Sequence, residues 1–152
     1  YRITDSHPSG DGPIQAMHWA LADADATPQD VDYVNAHGTS TPMNDRSESA
    51  AMHAVFGAEV GRVSVSSTKS AMGHLIAAAG AVEAAVCALS IHPGVLPVNA
   101  NYLHPAPDCM LNLVVGAARK QPVRVALSNS LGFGGSNSCL AFRHPDFDGG
   151  RA

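Results

Sequence analysis

The sequence predicts an α/β fold, on two observations. Segments whose apolar residues recur three and four apart alternate with short valine-rich runs, and three polar stretches each stand directly after one of those runs. After a polar opening, "YRITDSHPSGDGP", Pro13 suits a first helical position. Ile14, Met17 and Leu21 then mark the inner side of an amphipathic helix ending near Asp25. "ATPQDVDYVNAH" turns into a strand around Val31 to Asn35. A second helix runs through "NDRSESAAMHAVFG", capped by Asn44 or Asp45, with Met52, Val55 and Phe56 on its apolar side and Gly57 at its end. "RVSVSS" alternates as a strand does, and "TKSAMGH" is a loop leading into an alanine-rich helix. "HPGVLPVNANYLHPAPD" is a Pro-rich connection. Two last apolar segments, "VRVALSN" and "CLAFR", flank "SLGFGGSN" as a strand, glycine-rich loop and strand.

Composition narrows the function classes. The 152 residues are 45% hydrophobic and carry a formal charge of -4 with only nine Lys and Arg, which excludes a nucleic-acid footprint or a basic membrane-binding surface. The run "HLIAAAGAVEAAVCALSI" approaches the length of a membrane span, but Glu83 in its middle makes a helix packed inside protein the better reading. Cys87, Cys109 and Cys139 form no C-x-x-C pair, so zinc and redox roles are not expected and a reducing, cytoplasmic setting is. The chain opens without a Met and reads as a piece of a longer protein. His7, His18, His53, His92, His104 and His144 form no H-E-x-x-H pattern and are assigned to surfaces or loops; no metal site is expected. Cys139 alternates within the last strand as a buried small hydrophobe.

The polar stretches "HGTST", "STKSAMGH" and "GFGG" all follow strands. In α/β sheets ligands gather at the carboxyl ends of strands, so the three loops are expected to converge on one site. Taken singly, His37 reads equally well as a turn residue beside Gly38, and His74 as a capping residue. Together, with Lys69 five residues before His74, they suggest neutral imidazoles that stabilise an enolate or oxyanion, because a nearby ammonium opposes their protonation. Glu83 lies nine residues after His74, about 180° around a continuous helix, so it is assigned to Lys69 rather than to His74; a solvated stripe position is the alternative. The "GFGGSN" glycines lack the G-x-G-x-x-G form and suit a close backbone approach to substrate.

The motifs "NAHGTSTPMNDRSE", "SSTKSAMGHLIAAAGAVE" and "NSLGFGGSN", in this order, resemble the carboxy-terminal half of a β-ketoacyl-acyl carrier protein synthase of the elongating, Cys-His-His type. The resemblance runs from about Tyr1 to His144. It implies one carboxy-terminal ketosynthase domain over 1–152, half of a thiolase-like α-β-α-β-α layered fold, with the amino-terminal half and its nucleophilic cysteine outside this chain. It implies decarboxylative Claisen condensation of an acyl thioester with malonyl-acyl carrier protein, in fatty acid or polyketide synthesis. His37 and His74 match the histidines that hold the malonyl carbonyl, Lys69 and Glu83 the active-site lysine and its glutamate. Phe133 matches the gating phenylalanine, whose N–H completes the oxyanion hole. Thr39 and Thr41 match hydroxyls that bind the phosphopantetheine arm, which arrives on the carrier protein; no cofactor is bound. The implied partners are acyl carrier protein, the amino-terminal half and a second copy in a homodimer. Ala71-Met72 departs from a usual Met-Thr pair, and Leu131 from a frequent phenylalanine. A non-catalytic partner subunit or binding domain is the alternative. A thiolase is disfavoured, since "GFGG" lacks its cysteine and both histidines are present.

Overall fold

The computed structural model describes residues 3–4 and 7–149. Along the chain run α1 (Asp11–Asp23), β1 (Val31–Asn35), α2 (Pro42–Phe56), β2 (Ser64–Ser66), α3 (Lys69–Met72), α4 (Ala79–Ile91), β3 (Val95–Leu96), β4 (Asn112–Leu113), β5 (Arg119–Lys120), β6 (Val125–Leu131) and β7 (Asn137–Arg143). The main sheet has the order β4-β2-β1-β6-β7, parallel except for β7, which returns antiparallel to β6. On one face Met17, Leu21, Met52, Val55 and Phe56 of α1 and α2 pack on Val31, Val34, Val65, Val125 and Leu127. On the other, Cys87 and Ile91 of α4 pack with Tyr33, Leu96, Val114 and Ala126. A sheet covered on both faces needs apolar or satisfied side chains throughout, and β1, β2 and β6 are buried at nearly every position. The result is the α-β-α half of a thiolase-like fold that the resemblance implies.

Several expected boundaries move, each for a local reason. α1 opens at Asp11 rather than Pro13. Gly10 precedes it at φ 71, where an added Cβ would stand 2.8 Å from the Ser47 carbonyl, so the close approach to α2 sets the start. α2 opens at Pro42, with Thr41 in the cap position. Proline preorganises the first helical residue, so Asn44 and Asp45 are not the caps. Asn44 is instead buried beside Glu48, and Asp45 accepts the Ser40 N–H at 3.2 Å. Gly57 ends α2 with φ 52, as expected.

Of "RVSVSS" only Ser64–Ser66 is strand, and its serines are buried rather than alternating. They are tolerable there because Ser64 donates to Gln121 and Ser66 shares a hydrogen bond with the Tyr33 hydroxyl. "TKSAMGH" is not all loop, since Lys69–Met72 makes one helical turn ended by Gly73 at φ 79. The alanine-rich helix begins at Ala79, not His74. Ile76 takes φ 51, which breaks the helical path before a single turn at Ile76–Ala78. His74 is therefore off the helix, and its angular offset from Glu83 has no meaning. The Pro-rich connection also carries β3, which pairs antiparallel with β5. Cys139 is half-buried at the margin of the α1/α2 core rather than fully enclosed.

Candidate active site

The carboxyl ends of the strands bring the site together. His37 leaves β1 just after Ala36, and Gly38 follows at φ 45, where an added Cβ would lie 2.5 Å from the Ser67 Cβ. Only glycine allows the β1 loop to lie so close to the β2 loop. His74 follows α3 and Gly73. The two imidazoles meet edge to face, with ring centroids 5.4 Å apart and planes at 83°. His37 is 7% exposed, whereas His74 lies open to solvent. The ring Nδ1 of His74 faces the Ile76 N–H at 3.1 Å as its acceptor. In the neutral ring that contact puts the proton on Nε2, leaving Nε2–H free to donate outward.

Behind the histidines Lys69 and Glu83 form an ion pair, 8% and 2% exposed. α3 delivers the ammonium and α4 the carboxylate, so the two residues meet as the sequence reading paired them. Burial first, then the Lys69 and His74 charges, pulls the His37 pKa down from 6.5 to about 4, so this imidazole is neutral at pH 7. The lysine acts on His37 as expected, although desolvation is the larger cause. The His37 Nδ1 is buried without a partner among the described residues.

Thr39 and Thr41 share a hydrogen bond at 2.9 Å on the loop that continues from Gly38. Thr39 lines an open cavity of about 800 Å³ with Gly38, Lys69 and His74, bordered on another side by the 99–111 connection. Phe133 does not line this cavity; it lies in the turn Phe133–Gly135 between β6 and β7, with 75% of its surface exposed. The structure thus brings His37, His74, Lys69, Glu83 and Thr39 to one place. Phe133 lies on the turn between β6 and β7, with Gly134 and Gly135 at φ 71 and 79 beside it.

Sequence reasoning missed Glu48. Its carboxylate, 3% exposed, accepts the backbone N–H groups of His37 at 2.8 Å and Gly38 at 2.9 Å, and the Asn129 side-chain amide at 3.2 Å. Burial pushes its pKa up against those hydrogen bonds. One signal was available: Glu48 shares the inward stripe of α2 with Ala51, Met52 and Val55, at spacings of three, four and seven. A carboxylate on that stripe needs a partner.

The family described as "Beta-ketoacyl synthase, C-terminal domain" matches residues 1–103. The chain is 49% identical over 136 residues to nodulation protein E of Rhizobium sp. (strain N33), covering 90% of this chain and 34% of that protein. It is 45% identical over 143 residues to 3-oxoacyl-[acyl-carrier-protein] synthase 2 of Synechocystis sp. (strain ATCC 27184 / PCC 6803 / Kazusa), covering 94% and 34%. Among solved structures it superposes with TM-score 0.93 and 36% identity on the AntDE:AntF complex, described as a type II PKS acyl-carrier protein with its ketosynthase bound to the hexaketide; the match covers 96% of this chain and 36% of that one. With the ishigamide ketosynthase/chain length factor the TM-score is 0.87 at 35% identity, covering 93% and 34%. The chain spans about one third of the length of these relatives.

Proposed function

The chain belongs to the β-ketoacyl synthase family, as its carboxy-terminal domain, and from that membership we propose that it supplies the decarboxylation site of an elongating condensing enzyme. The observation that carries the proposal is the edge-to-face His37–His74 pair, with the buried Lys69–Glu83 pair behind it. The neutral His37 imidazole and the outward Nε2–H of His74 can each point one N–H at the same thioester oxygen. When the malonyl C–CO₂⁻ bond breaks, its electron pair moves into the enolate, and the developing negative oxygen is held by those donors. The enolate carbon then attacks the acyl thioester carried on a cysteine of the amino-terminal half. The new C–C bond forms as the C–S bond breaks and the thiolate leaves.

Thr39 and Thr41 suit the amide-rich phosphopantetheine arm, since Thr39 lines the cavity and its hydroxyl shares a hydrogen bond with that of Thr41. The amino-terminal half is the natural cover for α4, whose outward side exposes Ala81, Ala85, Ala88 and 72% of Leu89. Acyl carrier protein delivers both substrates, a second copy completes a homodimer, and the setting is cytoplasmic. No helix among the described residues is long and apolar enough to cross a membrane.

Full-length protein mixed with acyl- and malonyl-carrier protein should release CO₂ and yield a carrier-bound β-ketoacyl chain two carbons longer, followed by intact mass. Absence of both products would leave the non-catalytic partner subunit as the reading.

Phe133 is assigned as a gate and its N–H as an oxyanion donor. A ring 75% exposed on a turn flanked by glycines can change position without disturbing a core. Phe133→Ala retains the N–H, so condensation should persist while malonyl decarboxylation begins before acylation in pre-steady-state runs. Stability should change by less than about 0.5 kcal/mol. A large fall in melting temperature with substrate order intact would make Phe133 an anchor instead.

A further inference from the structure

We infer that Ser70, Asn99 and Asn101 are positioning residues for the decarboxylation step: together they fix the short helix α3, and through it Lys69 and His74, to the chain that borders the cavity. The inference rests on the proposed role of His74. α3 spans only Lys69–Met72, and a helix of four residues has too few internal hydrogen bonds to hold its own shape. Its placement therefore comes from outside. One anchor is the Lys69–Glu83 pair. The 99–101 segment supplies the other.

Asn99 acts where the sheet ends. The β2–β4 ladder stops at the Val65–Leu113 pair, and the chain beyond β2 turns off into α3. There the Asn99 side-chain amide donates to the Val65 and Val114 carbonyls, each at 3.2 Å, and its oxygen accepts the Ser67 N–H at 2.9 Å. With both ends of the amide engaged, this side chain continues the ladder and sets the direction in which the chain enters α3. The Ser70 hydroxyl accepts the Ala100 N–H at 2.9 Å and donates to the Ser67 carbonyl at 2.8 Å. Asn101 then donates from its side chain to the Ser70 carbonyl at 3.0 Å. It does so from φ 59, a left-handed conformation that asparagine tolerates better than most residues with a side chain.

The path from this cluster to the chemistry is short. The Gly73 N–H donates to the Lys69 carbonyl at 2.9 Å, and His74 follows Gly73 directly, so a shift of Lys69 and Ser70 carries the imidazole with it. Gly73 takes φ 79 with open space where a side chain would stand, and adds no packing to steady the loop. Ser70, Asn99 and Asn101 line the cavity together with Lys69 and His74, and belong to neither apolar core. The cluster is therefore matched to the site rather than to the interior.

In the full-length protein, Ser70→Ala leaves the Ala100 N–H without its acceptor and unties one end of the cluster. The kcat for CO₂ release from malonyl-carrier protein should fall about 10- to 100-fold, as for a displacement near 1 Å, with KM unchanged within about twofold. Acyl transfer to the cysteine should stay near the parent rate. Ser70→Thr keeps the hydroxyl and should recover most of the loss. Asn101→Gly removes the amide donor without straining the left-handed backbone, so it should fold and lower the same step several-fold. His74→Ala is measured alongside. If it abolishes CO₂ release while Ser70→Ala and Asn101→Gly leave kcat within about twofold, the positioning role is overturned and the histidine assignment stands. A higher KM with kcat intact would make the cluster a binding wall, and an equal fall in both half-reactions together with the melting temperature would make it structural; either overturns the inference. Threonine restoring no more release than alanine overturns it too. If His74→Ala leaves CO₂ release unchanged, the histidine assignment and this inference fall together. Should Ser70→Ala not fold, Asn101→Gly decides: a several-fold selective loss of CO₂ release supports the role, and unchanged release overturns it.

Discussion

Replacing either histidine by alanine in the full-length protein is expected to lower CO₂ release from malonyl-carrier protein by about 10²–10³-fold, the usual consequence of losing one oxyanion donor. Acyl transfer to the cysteine should remain near the parent rate, because enolate charge develops only when malonyl loses its carboxylate. His74→Ala is the cleaner variant: the ring is exposed and its Nδ1 hydrogen bond joins it to its own loop, so the fold should be unaffected. His37→Ala removes a buried ring but leaves the backbone N–H that Glu48 accepts, so a modest loss of stability should accompany the chemical loss. The double variant should be little worse than either single one, as expected for donors that act on one oxygen as a unit. Labelled CO₂ release and intact-mass detection of the acyl-enzyme separate the two steps. Normal release in both single variants would end the assignment.

Lys69→Ala should destabilise the protein by about 3–5 kcal/mol, since it leaves the Glu83 carboxylate charged and enclosed without its ammonium. Glu83 is 2% exposed and its second oxygen has no partner among the described residues, so no nearby donor stands ready to replace the lysine. Lys69→Met combined with Glu83→Gln removes both charges at similar volume and should recover much of that loss. Decarboxylation should stay impaired in the pair, because the ion pair that ties α3, and with it the His74 loop, to α4 has gone; His37 itself stays neutral, held so first by burial. Chemical denaturation of the full-length variants gives the stabilities and CO₂ release the activities. A single Lys69→Ala variant as stable as the parent, or full activity in the double variant, contradicts this account.

Elements with a clear period are legible in the sequence. The valine pattern places β1 at Val31 to Asn35, Gly57 marks the end of α2, and the Lys69–Glu83 partnership follows from the expense of an unpaired charge among alanines. What stays hidden depends on distant contacts. β4 and β5 are two residues long, too short to show alternation, and exist because β2 and β3 lie beside them. The start of α4 rests on a positive φ at Ile76, a residue type that gives no warning of that conformation. Glu48 lies inside one of the three motifs yet shows nothing of its role there, because its meaning lies in Asn129, His37 and Gly38 arriving around it from other strands.

The place of β1 in the sheet has a consequence for the order in which the site is made. Val34 pairs on one side with Val65 and on the other with Leu127, so the strand that carries His37 waits for a neighbour encoded far downstream. At a synthesis rate of roughly 5–20 residues per second, the interval between translating the two strands is on the order of seconds. During that time β1 has a bare edge toward the missing β6, and Glu48 lacks the Asn129 amide. Contacts of such sequence separation close slowly even in the finished chain. The histidine dyad is thus among the last parts of this domain to become geometrically correct, together with α1 and α4, which pack largely on β6 and β7 and wait for the same strands.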